Sequence, residues 1–240
     1  MDINLKNQII AKTKPYNGSS DLLDADRWSR EEYHMTQLNY ERLLCNTDCI
    51  EHIIKNSIEG DVVEIGVWRG GSMLAMLLTL EELNTTDRKI HLYDTFDGMT
   101  EPTEYDVIGG ESALDFTKRH YKTDDISVMC KVTLDEVKNN IETNSNYPKE
   151  LISYHKGDIV KTNYFPEKIA LLRLDTDWYE STKFEMDNFY DRVSIGGVII
   201  IDDYNAWDGS KKAVDEFLLE RNISVNIIDA TGGAVFFIKP

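Results

Sequence analysis

Four carboxylates stand in two tight pairs, Asp175 and Asp177 in LRLDTDWYE and Asp202 and Asp203 in IIIDDYN. Each pair follows an apolar run, where a strand would end. In extended chain, positions i and i+2 point the same way. The stretch from Asp175 to Asp202 fits one helix and its return. Strands joined in that way are commonly neighbours, roughly 4.8 Å apart. All four acids would then meet at the carboxyl edge of a parallel sheet, where open α/β folds bind ligands. Bare carboxylates so close raise one another's pKa. A hard divalent cation relieves the repulsion, and an all-oxygen set favours Mg²⁺, Mn²⁺ or Ca²⁺ over zinc. Such an ion makes a bound alcohol more acidic, as it does bound water, and a spare carboxylate can take the proton. The plainer alternative is that these acids cap the following helices. It explains one acid of each pair more readily than both.

A second pattern is the glycine loop Val63-Glu64-Ile65-Gly66-Val67-Trp68-Arg69-Gly70-Gly71-Ser72. Gly66 follows a strand-like run and Gly70-Gly71 precede a helix-like one, so backbone can approach a ligand near a helix start. The loop is neither G-x-G-x-x-G nor a Walker loop. An acid precedes its first glycine, which suits a ligand carrying an ammonium group, such as S-adenosylmethionine, better than a pyrophosphate. Asp94 ends the next strand, where a carboxylate can accept from both ribose hydroxyls. An ordinary tight turn with two solvated acids is the competing reading.

These residues need a scaffold, and the chain between them alternates. Strand-like runs cover 61–67, 89–94, 150–156, 169–175 and 197–202, with helical stretches at 72–83, 133–143, 181–192 and 211–221. The pattern predicts βαβ units and a parallel sheet. At the end, 224–229 and 234–239 flank Gly232-Gly233, which predicts a hairpin and one antiparallel strand. Ahead of the sheet, about Trp28 to Lys55 carries helical periodicity. The first twenty or so residues, with Asn17–Ser20, read as a mobile lead-in. Thr95 to Asp125 reads as a long functional connection.

The 240 residues carry 26 Lys plus Arg and 43 Asp plus Glu, a net charge of −17. That surface repels nucleic acid and anionic lipid, so neither is an expected partner. No apolar run reaches the roughly 20 residues of a bilayer span. The opening residues lack the apolar core of a signal peptide. Three cysteines make no disulfide framework, and a reducing cytoplasm is expected. Cys45 and Cys49 read as helix packing rather than a metal pair. The histidines read as structural, and Arg69 as a salt-bridging surface residue. Trp68, Trp178 and Trp207 could stack on a ligand or pack at the sheet edge. Tyr33 and His34 could touch substrate if the N-terminal helix folds over the site.

VEIGVWRGGS, DTFDGM, LRLDTDWYEST and IIIDDYNAWDGSKKAVDEF, with EEYHM and an RLL segment ahead of them, resemble the macrocin O-methyltransferase family from about Glu31 to Phe217. The resemblance implies an α/β class I methyltransferase (Rossmann-like) fold. It should have a seven-stranded, mostly parallel sheet with one antiparallel strand and a helical N-terminal lid. The lid segment would be 1–58 and the methyltransferase domain 59–240. The resemblance further implies S-adenosyl-L-methionine and Mg²⁺ (or Mn²⁺) as cofactors. The acceptor would be a sugar hydroxyl of a small-molecule glycoside or sugar nucleotide, from a natural product or a polysaccharide precursor. It places metal ligation at Asp175, Asp202 and Asp203 and the general base at Asp177. Cofactor contacts fall on Glu64, Gly66, Ser72, Asp94 and, near the adenine, Asp158 of HKGDIVKT. A homodimer is a further expectation. The segment 103–125 and the ending DATGGAVFFIKP depart from the family pattern, and both would border the acceptor. A catechol-type acceptor and a non-catalytic nucleoside-binding module remain as alternatives. A nicotinamide enzyme would need the missing G-x-G-x-x-G.

Overall fold

The apolar runs form strands close to where the sequence places them. The computed structural model describes residues 1–15 and 33–240. Its first half runs α1 (Ile3–Lys12), α2 (Tyr40–Lys55), β1 (Asp61–Ile65), α3 (Gly71–Glu82), β2 (Ile90–Asp94), β3 (Val107–Ile108), β4 (Glu111–Ser112) and α4 (Ala113–Tyr121). It continues with α5 (Leu134–Asn144), β5 (Ile152–Lys156), β6 (Ile169–Leu174), α6 (Tyr179–Phe189), β7 (Val193–Ile201), α7 (Asp208–Glu220), β8 (Ile228–Asp229) and β9 (Val235–Ile238).

Seven strands make one sheet in the order β5-β2-β1-β6-β7-β9-β8. β5, β2, β1, β6 and β7 pair in parallel, and β9 runs antiparallel to both neighbours. The chain winds outward from β1 to one side and from β6 to the other. The switch point therefore lies between β1 and β6, where such sheets bind ligands. Alternate strand residues feed two cores. Val62, Leu92, Leu171 and Val198 pack with α2, α3 and α5 on one face. Val63, Tyr93, Leu172 and Ile199 pack with α6 and α7 on the other. Among the described residues, no helix is long and apolar enough to cross a membrane.

Three expectations change. The opening residues are not a lead-in. Asp2 caps α1 by accepting from the Leu5 N–H at 3.0 Å. Ile9 and Ile10 are buried in a core shared with Leu43 and Leu74. Lys6 is buried and pairs with Asp48 and Glu51 of α2. Asn17–Ser20 and residues 28–32 lie outside the described residues. The helix expected to end at Lys55 begins at Tyr40, because Asn39 caps it through the Arg42 N–H at 3.0 Å. The connection after β2 is partly regular. Gly109 and Gly110, with φ of 58° and 85°, turn the small β3–β4 hairpin, a turn that needs two positive φ values. Ser112 then caps α4.

Candidate active site

The carboxyl ends of β1, β2, β6 and β7 open into one cleft. Asp175 leaves β6 and Asp203 leaves β7. Asp177 follows on the loop with φ of 66°, a left-handed conformation that Asp tolerates better than most residues. Asp175, Asp177 and Asp203 each offer an oxygen within 4.8 Å of the other two. Burial pushes Asp175 up to about 6 against the pull of Arg173. Asp177 and Asp203 sit well above the ordinary carboxylate range, through burial first and neighbouring carboxylates second. Asp203 is 8% exposed, and its Oδ2 is buried with no hydrogen-bond partner among the described residues. A partnerless oxygen beside two more carboxylates is what a hard, oxygen-seeking cation would satisfy. On that ground the donor set fits a divalent metal.

Asp202 reaches the same place and is held differently. Its Oδ1 accepts from Arg173 and its Oδ2 from Arg42 of α2, both at 2.6 Å. The Arg173 side chain is 0% exposed and donates also to Asp175 at 2.6 Å and Glu64 at 3.1 Å. Glu64 and Arg173 are register partners on β1 and β6, so a polar row crosses the sheet under α2. Burial raises the Asp202 pKa, but the two guanidiniums outweigh it and hold the carboxyl below its usual value. Glu64 goes the other way, pushed up to about 7 by burial despite Arg173. The four acids expected to meet are thus not held alike. Three gather with free acceptor capacity, and Asp202 is neutralised by arginines. Glu64, expected to contact the cofactor, is fully buried and faces Arg173.

The glycine loop forms the adjoining wall. Gly66 has φ of 84°, and a Cβ there would sit 1.9 Å from the Asp175 carbonyl oxygen. Its lack of a side chain lets the loop close on the acidic strand end, in addition to baring backbone to the cleft. Asp94 lines the cleft with its acceptor positions already in use. Oδ2 takes the Val67 and Trp68 N–H groups at 2.7 and 3.0 Å, and Oδ1 takes the Phe96 N–H at 2.7 Å. It therefore shapes the loop. Ser72, at the start of α3, lines the cleft and accepts from Asn46 of α2 at 3.0 Å. Asp158 lines it too, holding the Val160 N–H at 3.2 Å and Lys161 at 3.0 Å. Met99, Ile108, Phe116, Met129 and Trp207 give the far side an apolar lining. Buried Asp106 pins that side by accepting from the Tyr179 N–H of α6 at 2.7 Å. Trp68, Cys130 and Asp177, all lining residues, have positive φ, a kind of backbone strain that clusters at functional sites.

A model of the macrocin O-methyltransferase family matches residues 2–239. The chain belongs to this family. It is 32% identical over 205 residues to demethyldecarbamoylnovobiocin O-methyltransferase of Streptomyces niveus, covering 84% of this chain and 74% of that one. A tetracenomycin-type rhamnosyl 4'-O-methyltransferase of Streptomyces olivaceus is 32% identical over 234 residues, covering 94% and 84%. The solved O-methyltransferase NovP superposes with a TM-score of 0.79 at 26% identity, covering 98% of this chain and 97% of that one. This macrocin-family chain is accordingly an O-methyltransferase, with the class I fold expected of it.

Two residues of this O-methyltransferase escaped the sequence reading. Arg173 carried a signal, because a lone charge inside the apolar run IALLRL must be paired if buried, and Glu64 inside VVEI is the matching acid. Arg42 carried only its place in the RLL segment of the resemblance, since YERLL otherwise reads as an ordinary helix surface until the fold buries it. Tyr33 turns away from the cleft, bonding Asn140 and Glu136 of α5 at 3.0 and 3.1 Å. Trp178 is buried and donates to the Thr100 carbonyl at 2.9 Å. Arg69 pairs with Glu136 at 3.2 Å, as a salt-bridging residue should.

Proposed function

We propose that this enzyme transfers the methyl group of S-adenosylmethionine to a sugar hydroxyl of a glycosylated small molecule, with a divalent metal held at the acidic centre. One observation carries the reading. Asp175, Asp177 and Asp203, with a partnerless oxygen on Asp203, share a cleft with the glycine loop of β1. Gly66, Ser72, Asp94 and Asp158 line the half that would take the cofactor. Asp94 meets a ribose only by sharing the loop N–H groups it already holds. Glu64 acts on the cofactor from below, through Arg173 and the loop. The sugar acceptor is drawn from the relatives, whose names specify glycosylated antibiotics and their precursors. An apolar aglycone suits the wall of Met99, Phe116 and Trp207.

Asp175 and Asp203 would hold the metal, which when bound stabilises negative charge on an oxygen at that point. Asp177 is the base. Its carboxylate has an oxygen within 4.8 Å of those of Asp175 and Asp203, beside the point where the acceptor hydroxyl would sit. As Asp177 takes the hydroxyl proton, the oxygen lone pair bonds to the methyl carbon and the carbon–sulfur bond breaks, releasing S-adenosylhomocysteine. The remaining work is alignment: the loop presents the sulfonium side and the apolar wall the acceptor side. The test is label transfer from methyl-tritiated S-adenosylmethionine to glycosides. Asp177→Asn should lose at least a hundredfold in turnover while binding S-adenosylhomocysteine normally. Undiminished turnover in that variant, or in excess chelator, would refute the reading.

A further inference from the structure

We propose that Arg42 competes with the divalent metal for Asp202, so that helix α2 sets the affinity of the metal centre. The proposal rests on the metal reading of the acidic centre. Both oxygens of Asp202 are occupied by guanidinium groups at 2.6 Å. Asp202 adjoins Asp203 in the chain and lines the same cleft as Asp175 and Asp177. Each oxygen keeps a second lone pair, but a cation drawn to it meets the charge of a guanidinium, so Asp202 joins Asp175 and Asp203 as a ligand most readily when one guanidinium yields.

The two arginines are not held alike. Arg173 is anchored on a central strand and contacts three carboxylates, those of Glu64, Asp175 and Asp202. Arg42 comes from outside the sheet. Besides Asp202, its guanidinium makes, among the described residues, only a long 3.5 Å contact to the Gln37 carbonyl. Its Nε is buried without a partner among the described residues, an unfavourable state for a charged group. Its side chain is 6% exposed yet borders the cleft. Arg42 is therefore the cation that yields, and Arg173 stays to fix Asp202 through Oδ1. In the absence of metal, Arg42 keeps Asp202 from standing as a fourth bare carboxylate. α2 and the acidic centre are thereby linked: whatever draws Arg42 off Asp202 tightens the metal site.

The test is Mn²⁺ binding to the full chain, followed by electron paramagnetic resonance with S-adenosylhomocysteine present. Arg42→Met, which keeps the length of the stem, should bind Mn²⁺ about tenfold more tightly than wild type, and Arg42→Lys should fall between. A general field effect of removing one positive charge is separated by a double-mutant cycle with Asp202→Asn. Competition predicts that the gain from Arg42→Met disappears in that background. Unchanged or weaker Mn²⁺ affinity in folded Arg42→Met, or a gain that persists with Asp202→Asn, overturns the proposal. Lost thermal stability alone would mark Arg42 as merely structural and overturn it too. Failure of wild type to bind Mn²⁺ at all overturns both this inference and the metal reading. Binding with equal affinity in wild type and variant overturns this one alone. If Arg42→Met does not fold, arginine side-chain ¹⁵N resonances of the wild type decide. Saturating Mg²⁺ should release the protected Arg42 signal and leave that of Arg173. An unmoved Arg42 signal refutes the competition.

Discussion

Replacing Arg173 with Met removes a cation that touches Glu64, Asp175 and Asp202 together. Breaking a buried ion pair by deleting one partner costs about 3–5 kcal/mol. The three losses do not add. Glu64, already near 7, can take a proton, and Asp202 keeps Arg42. One uncompensated carboxylate equivalent is left, so the metal-free variant should lose about 4 kcal/mol at pH 8. For a chain of this size that lowers the melting temperature by roughly 10 °C. The loss depends on pH. In wild type the depressed Asp202 stabilises the fold above its unfolded value of about 3.9 and loses that contribution as pH falls through its folded pKa. In the variant Asp202 and Asp175 are free to protonate on acidification, which removes the penalty. The gap between the proteins should therefore close toward pH 5. Urea unfolding of both at pH 8 and pH 5, without divalent metal, measures it. A loss under about 1 kcal/mol at pH 8, or an equal loss at both values, would refute the reasoning.

Further expectations follow from other contacts. Gly66→Ala adds a methyl 1.9 Å from the Asp175 carbonyl at φ of 84°. It should cost a few kcal/mol and abolish methyl transfer, as read by calorimetry and label transfer. In the metal-free protein, Asp175, Asp177 and Asp203 have pKa values raised above the unfolded carboxylate. Their protons are lost at a cost as pH rises, so stability should fall from about pH 4 through pH 6 and beyond. Mg²⁺ should accordingly raise the melting temperature much more at pH 8 than at pH 5, and equal shifts would speak against a metal at these acids. Asp106→Ala strips the Tyr179 N–H and the Thr103 N–H and hydroxyl of their acceptor. It should raise the acceptor KM severalfold while leaving the Kd for S-adenosylhomocysteine unchanged.

Much of the scaffold was legible because it depends on local pattern. Apolar runs such as GVIII and IALLRL can only be strands covered on both faces, and the helices between them fix a parallel sheet. The convergence of Asp175, Asp177 and Asp203 followed from strand-end position and spacing. Segments that depend on tertiary partners were less legible. α1 is fixed by Ile9 and Ile10 against Leu43 and Leu74 and by Lys6 against α2. The hairpin at Gly109-Gly110 is two residues per strand, too short for periodicity to register. Within the site, residue types did not say which charges pair. Asp202 and Asp203 are adjacent and chemically identical. Only the arrival of Arg42 from a distant helix and Arg173 from the next strand separates them. Nor did residue types show that backbone N–H groups of the loop bond Asp94 or that Arg173 faces Glu64.

The central claim is that aspartates from two strand ends hold one hard cation beside the cofactor. Anomalous diffraction from crystals grown with Mn²⁺ and S-adenosylhomocysteine tests it most directly. A single peak should lie at coordination distance, roughly 2.0–2.6 Å, from oxygens of Asp175 and Asp203, on the side of the cleft facing the cofactor sulfur. No peak there with the nucleoside bound, or a peak only at surface carboxylates, would contradict the account.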